Sequence, residues 1–306
     1  MMRRQSGVAL VLVLWVITLL TVIAGNFAYS MRGEAQIAGN LLRNAQAQTR
    51  ADAGVQLAWF ELMKPAADPG RWRANGLVHE FIQDGVGVRV SIHDESGKID
   101  LNTASDALLK GLFKSAGLND QATAVLADTV LDWRSPGNLK RLNGAKEEEY
   151  RAAGKNYGPA NAPFETIDEL QRVLGMTPEL YLRLAPALTI YSRLPGVNTS
   201  VAPREVLLAI PGANPAMIEQ FLLQRQEALA AGQPVPPLSG ADSFSSNVSG
   251  IAAYLVRSEV RMADGTAFVR QAIGRVTPDP KRPIQVLAWG EGDTEPAAPN
   301  NTTLKN

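Results

Sequence analysis

The apolar residues at the start of the chain predict one long helix with two different halves. No charged residue interrupts the run from Val8 to Ala24. At about 1.5 Å per residue, a helix over this run, completed by residues 25–30, crosses a bilayer core of about 30 Å. Beyond it, apolar residues recur at helical spacing as far as Lys64, with polar residues between them. We therefore expect a helix over residues 8–64 that is apolar first and amphipathic afterwards.

Strand patterns lie on both sides of a helical stretch. Residues 86–92 alternate apolar with small or polar side chains, which is typical of a half-buried strand. Later strands are predicted over residues 254–263, 267–276 and 283–289, and Asp264-Gly265 is a hairpin signal between the first two. Because the strands are divided along the sequence, the helical stretch between them has the character of an inserted domain.

The middle of the chain carries helical spacing and helix start signals. Helices are predicted over 106–116, 120–133, 167–174 and 178–188. Thr166 and Glu169 form a capping-box pattern at the start of the third helix. A polar loop over residues 134–163 separates the second helix from the third, and 188–191 is a short strand candidate.

A weak internal repeat marks the same region. Leu101-Asn102-Thr103-Ala104 precedes one helix, and Val197-Asn198-Thr199-Ser200 precedes another. Ile210-Pro211-Gly212 then leads into a helix over 215–230, so that this segment resembles a helix-hairpin-helix unit. Such units often bind DNA phosphates, but residues 197–232 carry two arginines against three glutamates. This charge favours a structural helical module, with a membrane-anchored DNA-uptake protein as the alternative.

Composition excludes several classes of site. Lys plus Arg and Asp plus Glu both number 30, so the basic excess of a general nucleic-acid binder is missing. The absence of cysteine excludes disulfides, thiolate metal sites and cysteine nucleophiles. Only His79 and His93 are available for histidine chemistry, and the sequence has no phosphate-binding loop or nucleophile elbow. We therefore expect a protein that is not an enzyme.

Three interpretations of the N-terminus compete. Arg3 and Arg4 precede the apolar run and favour a cytoplasmic N-terminus. The segment suits a secretory signal cleaved near Ala28, a plain signal anchor, or a prepilin-type leader that is cut before the apolar run. Gly7 at the junction, and the helical pattern that continues beyond the membrane span, favour the prepilin type.

With these features the chain resembles the type IV pilins and the pseudopilins of type II secretion. The resemblance implies cleavage after Gly7 by a prepilin peptidase and N-methylation of Val8. Family members usually carry a glutamate at the fifth mature position, where this chain has Leu12. The K-type minor pseudopilins lack that glutamate and carry a helical domain inserted into the pilin-like sheet. Because the glutamate is thought to neutralise a neighbour's N-terminal amine, Leu12 suits a subunit at the filament tip.

An acidic segment gives the one candidate metal site. Asp128 and Asp132 lie one helical turn apart, and Glu147, Glu148 and Glu149 follow the polar loop. Carboxylates and loop carbonyls suit calcium. K-type pseudopilins bind calcium near an Asp-Trp pair and a later Gly-Ala-Glu segment with a tyrosine. The chain keeps Asp132-Trp133 and Gly144-Ala145, but it lacks the aspartates expected after the tryptophan, and Lys146 displaces the first acid. Calcium through Asp132 and Glu147 is thus a candidate, with a solvated loop as the alternative.

The resemblance implies an α+β fold, with a pilin-like long N-terminal helix packed on a small antiparallel sheet and a large inserted helical domain of helix-hairpin-helix or SAM-like type. The expected division is a leader (1–7), the long helix (8–64), the sheet domain in two parts (65–101 and 233–290), the insert (102–232) and a disordered tail (291–306).

The implied function is to cap the tip of the type II secretion pseudopilus and to help start its assembly for protein export. The implied partners are the other minor pseudopilins, the major pseudopilin, the prepilin peptidase and the inner-membrane secretion platform, with no nucleic acid. The protein would cross the inner membrane once, with its N-terminus in the cytoplasm and its head in the periplasm.

Overall fold

Helix α1 (Ser6–Met63) runs from the apolar N-terminal segment into the folded head. The structure is a computed structural model, and it describes residues 6–65, 67–246 and 252–293. At about 1.5 Å per residue, the 58 residues of α1 extend about 87 Å. Pro65 follows its end, where a proline ring stops the helical hydrogen-bonding pattern. Most of the expected leader and tail lies outside the described residues.

The two halves of α1 have different surroundings. Every described side chain from residue 9 to residue 30 is exposed. The second half buries a stripe of small and apolar side chains against the head, at a spacing of three to four residues. The stripe consists of Ala47, Ala51, Val55, Ala58 and Leu62. The pattern of one apolar and one amphipathic half is confirmed.

Gly54 marks the closest approach of α1 to the sheet. A Cβ atom at this position would overlap Oγ of Ser258 and lie 3.0 Å from Cγ2 of Val90. In the preceding half turn, Asp52 accepts a hydrogen bond of 2.6 Å from Nε of Arg270. The helix is therefore held to the sheet by close backbone packing and by an ion pair whose guanidinium is buried.

The head combines short helices with an antiparallel sheet. Its helices are α2 (Asp106–Ser115), α3 (Asp120–Arg134), α4 (Glu147–Ala152), α5 (Pro178–Leu184), α6 (Arg204–Leu208) and α7 (Pro215–Ala230). Its strands are β1 (Asn75–Gln83), β2 (Val86–Asp94), β3 (Ile99–Asp100), β4 (Leu188–Thr189), β5 (Ala253–Arg261), β6 (Ala267–Val276) and β7 (Ile284–Glu291). The main sheet has the order β1-β2-β5-β6-β7, all antiparallel, and β3 pairs with β4 in parallel.

The chain leaves and re-enters the main sheet at the same place. Asp94, the last residue of β2, pairs with Tyr254 near the start of β5. Everything between them is therefore an excursion between two hydrogen-bonded neighbours, as if it were a very long hairpin loop. This topology is the α+β arrangement that the sequence predicts, and the fold class is confirmed.

Buried apolar side chains form two separate clusters in the described part of the chain. The sheet cluster combines α1 with β2, β5 and β6, and it includes Trp59 and Ile92. The helical cluster lies within residues 99–244 and includes Phe113, Trp133 and Tyr150. Among the described residues, the sheet cluster takes no member from 95–253. The helical cluster is thus built from the stretch between β2 and β5, and the sheet cluster from the residues on either side of that stretch.

Several local features differ from the predicted ones. The pattern did not predict β1, although Asp84-Gly85 forms the hairpin between β1 and β2 with positive φ angles of 49° and 78°. The predicted polar loop 134–163 contains α4, and the helix expected over 167–174 is a 3₁₀ helix over Ile167–Arg172. The helix expected to reach residue 188 ends at Leu184, and a 3₁₀ turn over Ala185–Ala187 follows.

Candidate functional site

The N-terminal half of α1 presents an apolar surface on which two threonine hydroxyls form hydrogen bonds within the helix. Among the described residues, one helix is long and apolar enough to cross a membrane, and it is α1. Leu12 is 62% exposed. The hydroxyls of Thr18 and Thr21 donate to the carbonyls four residues earlier, at 2.8 Å in both cases. Polar groups satisfied within the helix suit a lipid environment.

The peptide bond between Gly7 and Val8 lies in the first turn of α1. Cleavage there would make the helix begin with the apolar run itself. The cleavage, the methylation of Val8 and the meaning of Leu12 remain predictions.

The acidic face of α3 binds the loop that follows this helix. Oδ2 of Asp128 accepts hydrogen bonds of 3.1 Å from the backbone and the side-chain amides of Asn143. Asp132 is fully buried, and its Oδ1 accepts a hydrogen bond of 2.8 Å from Nη1 of Arg141. Its Oδ2 accepts a second one, of 3.1 Å, from the backbone N–H of Arg141. Both carboxylates therefore already have hydrogen-bond donors within the protein.

The ammonium group of Lys146 lies at the centre of this segment. Its Nζ donates to the carbonyl oxygens of Asp132 at 2.7 Å and of Ser135 at 2.9 Å. It also donates to Oδ1 of Asn161 at 2.6 Å. Only 5% of the residue is exposed. Burial lowers the pKa of Lys146 from its ordinary value, and the nearby Asp132 carboxylate acts in the opposite direction.

The glutamates that follow Lys146 have other contacts. Glu149 caps α4, because its Oε2 accepts a hydrogen bond of 2.9 Å from the backbone N–H of Lys146. Its other oxygen pairs with Lys140. Glu147 has an exposed side chain that pairs loosely with Arg151, at 3.4 Å, and its carboxylate lies against Gly158.

This arrangement does not suit calcium held by Asp132 and Glu147. The Asp132 carboxylate accepts two hydrogen bonds from Arg141, whereas the Glu147 carboxylate pairs with Arg151. The two carboxylates therefore have different partners. The cationic side chains of Arg141 and Lys146 already contact the carboxylate and the carbonyl oxygen of Asp132. Within the described residues, no group of three carboxylates or histidines is placed to bind a metal ion.

Aromatic side chains pack next to the acidic segment. Trp133 packs on Tyr150 and Phe164, with ring centroids 6.1 Å and 6.0 Å apart. The guanidinium of Arg172 lies 5.7 Å from the Trp133 ring centroid. The Tyr150 hydroxyl accepts a hydrogen bond of 3.0 Å from the backbone N–H of Leu174, and burial raises the pKa of Tyr150 to about 12.

The two asparagines of the internal repeat, Asn102 and Asn198, form hydrogen bonds with residues distant in the sequence. Asn102 exchanges two hydrogen bonds with the backbone of Phe164, at 2.7 Å and 3.0 Å. Asn198 donates through its side chain to Oγ of Ser96 at 3.3 Å, and its backbone N–H donates to the Ser96 carbonyl at 2.8 Å. The repeated residue therefore has a structural role at both positions.

The segment that resembles a helix-hairpin-helix unit is confirmed as α6, a turn and α7, and both of its arginines are engaged within the fold. Nε of Arg204 pairs with Glu219 at 2.5 Å. Nη1 of Arg225 donates to the carbonyls of Thr199 and Ala202, at 3.2 Å and 2.6 Å. These contacts favour the structural interpretation of this segment over DNA binding.

Comparisons with known proteins match most of the chain. The family model for protein K of the type II secretion system matches residues 89–193. Type II secretion system protein K of Klebsiella pneumoniae is 30% identical over 236 residues, which cover 68% of this chain and 71% of that protein. The chain belongs to the type II secretion system protein K family. The protein K of Pseudomonas aeruginosa PAO1 is 26% identical over 290 residues, or 86% of this chain and 87% of that one.

A solved structure extends this family relationship to the fold. The match is to a chain in the crystal structure of the GspK–GspI–GspJ complex of the type 2 secretion system of enterotoxigenic Escherichia coli. It has a TM-score of 0.58 at 16% identity and covers 82% of this chain and 97% of that chain. The members of the protein K family are secretion components, so the secretion role predicted from the leader and the insert is confirmed at that level.

The sequence does not reveal the two cations that hold the acidic segment together. Its pattern marks Lys146 only as a cation that displaces an acid from the family pattern, and it gives no role to Arg141. One signal was available: a buried carboxylate such as Asp132 requires cationic partners, and both basic residues lie within the loop that closes over it.

Proposed function

We propose that the protein caps the tip of the pseudopilus and helps to start its assembly. The observation that carries the proposal is the excursion between Asp94 and Tyr254, which adds a second hydrophobic cluster to an otherwise pilin-like helix and sheet. A filament lattice requires identical contacts above and below each subunit. A head enlarged in this way fits best at an end, where no subunit lies above it.

The chemistry of α1 supports the same position. A carboxylate buried in lipid is costly unless a positive charge pairs with it. Leu12 removes that cost at the position where pseudopilins usually carry a glutamate, and its side chain lies on the exposed apolar surface. A subunit that inserts first, with no N-terminal amine above it, has no use for that carboxylate.

We also propose the membrane arrangement and the partners. The leader is removed between Gly7 and Val8, α1 spans the inner membrane once, and the head projects into the periplasm. The solved complex of GspK with GspI and GspJ supports the association of this chain with two other minor pseudopilins. We propose that it meets the major pseudopilin after this association. The inner-membrane platform would then extend the filament below it.

Labelling of sheared pseudopili tests the tip position. An epitope on the chain should appear at one end of each filament, and a deletion strain should form fewer filaments of ordinary width. A label distributed along the filaments would overturn the proposal. Re-expression of the untagged chain from a plasmid provides the control for the deletion.

Mass spectrometry of the N-terminus tests the leader. The mature chain should begin at Val8, with one added methyl group, only in cells that contain the prepilin peptidase. A Gly7→Leu variant should keep all of its leader, whereas Gly25→Leu, on the same helix and with open space around it, should be processed normally. A mature chain that begins near Ala28 would contradict the pilin-type anchor.

A further inference from the structure

The oxygen atoms around Lys146 are arranged as they would be around a bound cation. The carbonyls of Asp132 and Ser135 and the amide oxygen of Asn161 converge on Nζ at 2.6–2.9 Å. Main-chain and amide carbonyls are among the usual ligands of calcium in proteins. Here a side-chain ammonium occupies the centre of the group.

The three acceptors around Nζ of Lys146 suit the charged form of this side chain. All three partners of Nζ are oxygen acceptors, and none of them has a hydrogen to donate at that atom. A charged ammonium has three N–H donors, whereas the neutral amine has two. The arrangement is therefore complete with the positive charge in place, and charge-assisted hydrogen bonds are the stronger kind.

The segments that Lys146 joins are distant in the sequence. Asp132 and Ser135 lie at the end of α3, Lys146 is the residue before α4, and Asn161 belongs to the loop beyond α4. The ammonium group of Lys146 thus connects the end of α3 with the loop that follows α4. Gly144 allows this closure, because a Cβ at that position would overlap the Asp132 carboxylate.

We propose that the Lys146 ammonium is a built-in replacement for a bound metal ion, so that the head of this protein folds without calcium. Arg141 completes the replacement by neutralising the buried Asp132 carboxylate. The two cations thus place two positive charges beside the fully buried Asp132 carboxylate. A divalent ion added there would be repelled by both of them.

The first experiment measures the full-length chain, purified in detergent, with no substitution. Thermal unfolding followed by tryptophan fluorescence should give the same Tm in millimolar calcium and in excess chelator. Elemental analysis after gel filtration in calcium buffer should find much less than one calcium per chain. A Tm that rises by several degrees with calcium, or one tightly bound calcium per chain, would overturn the proposal.

The second experiment removes the ammonium. Lys146→Met keeps most of the side-chain length but removes the donor shared by the Asp132 and Ser135 carbonyls and the Asn161 amide oxygen. Among the described residues, only the Asp132 carbonyl keeps a second donor, the Ser135 backbone N–H, so Tm should fall by roughly 5 °C or more. Lys140→Met is the matched control, because Lys140 lies in the same loop but pairs with Glu149 at the surface. The control should lower Tm by about 2 °C at most. Equal effects of the two variants would contradict the central role of Lys146.

A third variant tests whether a metal ion can take the place of the ammonium. Lys146→Glu restores the Gly-Ala-Glu sequence and puts a carboxylate where the ammonium lies. We expect this variant to be less stable than the unsubstituted chain in chelator and to recover at least half of the lost Tm in millimolar calcium. Failure of calcium to restore any of its stability would count against the equivalence of ammonium and metal ion.

Discussion

At the scale of single residues, Gly54 makes the most specific prediction for the contact between helix and sheet. Its missing side chain lets α1 approach β2 and β5, since a Cβ would overlap Oγ of Ser258 and come within 3.1 Å of both Val88 and Val90. We expect Gly54→Ala to destabilise the head by about 1–3 kcal/mol through overpacking. Chemical unfolding of the full chain in detergent measures this difference.

Gly33 provides the control for that substitution. It lies on the same helix, with no atom near the position of a Cβ. Gly33→Ala should therefore show only the gain in helix propensity, at most about 1 kcal/mol in the stabilising direction. If both variants had the same stability, the close contact at Gly54 would have no energetic importance.

The buried tyrosines predict how the head responds to alkaline conditions. Burial raises the pKa of Tyr150 to about 12, and it does the same for Tyr181, with a hydrogen bond to Asp168 adding to the effect. In the unfolded chain both titrate near 10. The folded state therefore keeps protons that the unfolded state loses, so the stabilisation is complete below pH 10 and disappears as pH rises from 10 to 12.

Spectroscopic titration checks this expectation. The chain contains 6 tyrosines, and those that are buried should form tyrosinate only as the head unfolds. Tyr150→Phe should lose stability at neutral pH, because the Leu174 N–H loses its acceptor, but its further loss at high pH should be smaller. A single titration of all tyrosines near pH 10, with the head still folded, would be the contrary result.

At the scale of elements, α1 combines two functions that can be separated. In the N-terminal part of α1 the exposed large apolar side chains extend to Leu42, and the buried stripe begins at Ala47. Beyond that point only Phe60 and Met63 among the described large apolar side chains of the helix are exposed. We expect a chain that starts at residue 44 to be soluble without detergent and to unfold within a few degrees of the full-length Tm. Circular dichroism and gel filtration in plain buffer provide the measurement.

The matched variant starts at residue 65 and lacks α1 altogether. It exposes the face of the sheet that the buried stripe covers, including Val88 and Val256. It should aggregate or lose the cooperative unfolding of the sheet, because a large exposed apolar face promotes aggregation and the packing of the sheet against α1 is lost. A soluble, folded chain from residue 65 would show that α1 is not needed for the head.

The elements that could be predicted are those with a strong local pattern. The long helix, β2, β5 and β6 have clear periodicity, and the structure places them within one or two residues of the expected bounds. Strand β1 was missed because it lies at the sheet edge, where Leu77 and Ile82 are largely exposed and do not alternate with polar residues as a half-buried strand would.

The Lys146 group was beyond sequence reasoning for a different reason. Its three acceptors come from positions 11 to 15 residues away in the chain, and two of them are backbone carbonyls that any residue provides. No pattern of residue types reports where a carbonyl points. The proposed division of the chain, with an insert over 102–232, likewise depends on packing, and Leu238 and Ala241 beyond that range belong to the helical cluster.

At the scale of the whole molecule, the excursion from the sheet can be removed. Asp94 and Tyr254 are paired neighbours, and the sheet cluster has no described member between them. We expect a chain in which residues 95–253 are replaced by an Asn-Gly turn to keep α1 packed on the five strands, because this turn suits two-residue hairpins. Cooperative unfolding, with a helix content by circular dichroism that corresponds to α1 alone, would support this expectation.

Expression of the shortened chain tests whether the bulk of the helical insert limits the protein to a filament end. If the bulk of the helical insert prevents a subunit from lying above, the shortened chain should appear at internal positions of sheared pseudopili, whereas the intact chain should label one end. Leu12→Glu in the intact chain is the companion variant, since it restores the usual carboxylate but keeps the bulk. It should still label only the end. Internal labelling by Leu12→Glu, together with end labelling by the shortened chain, would assign the position to the helix and not to the head.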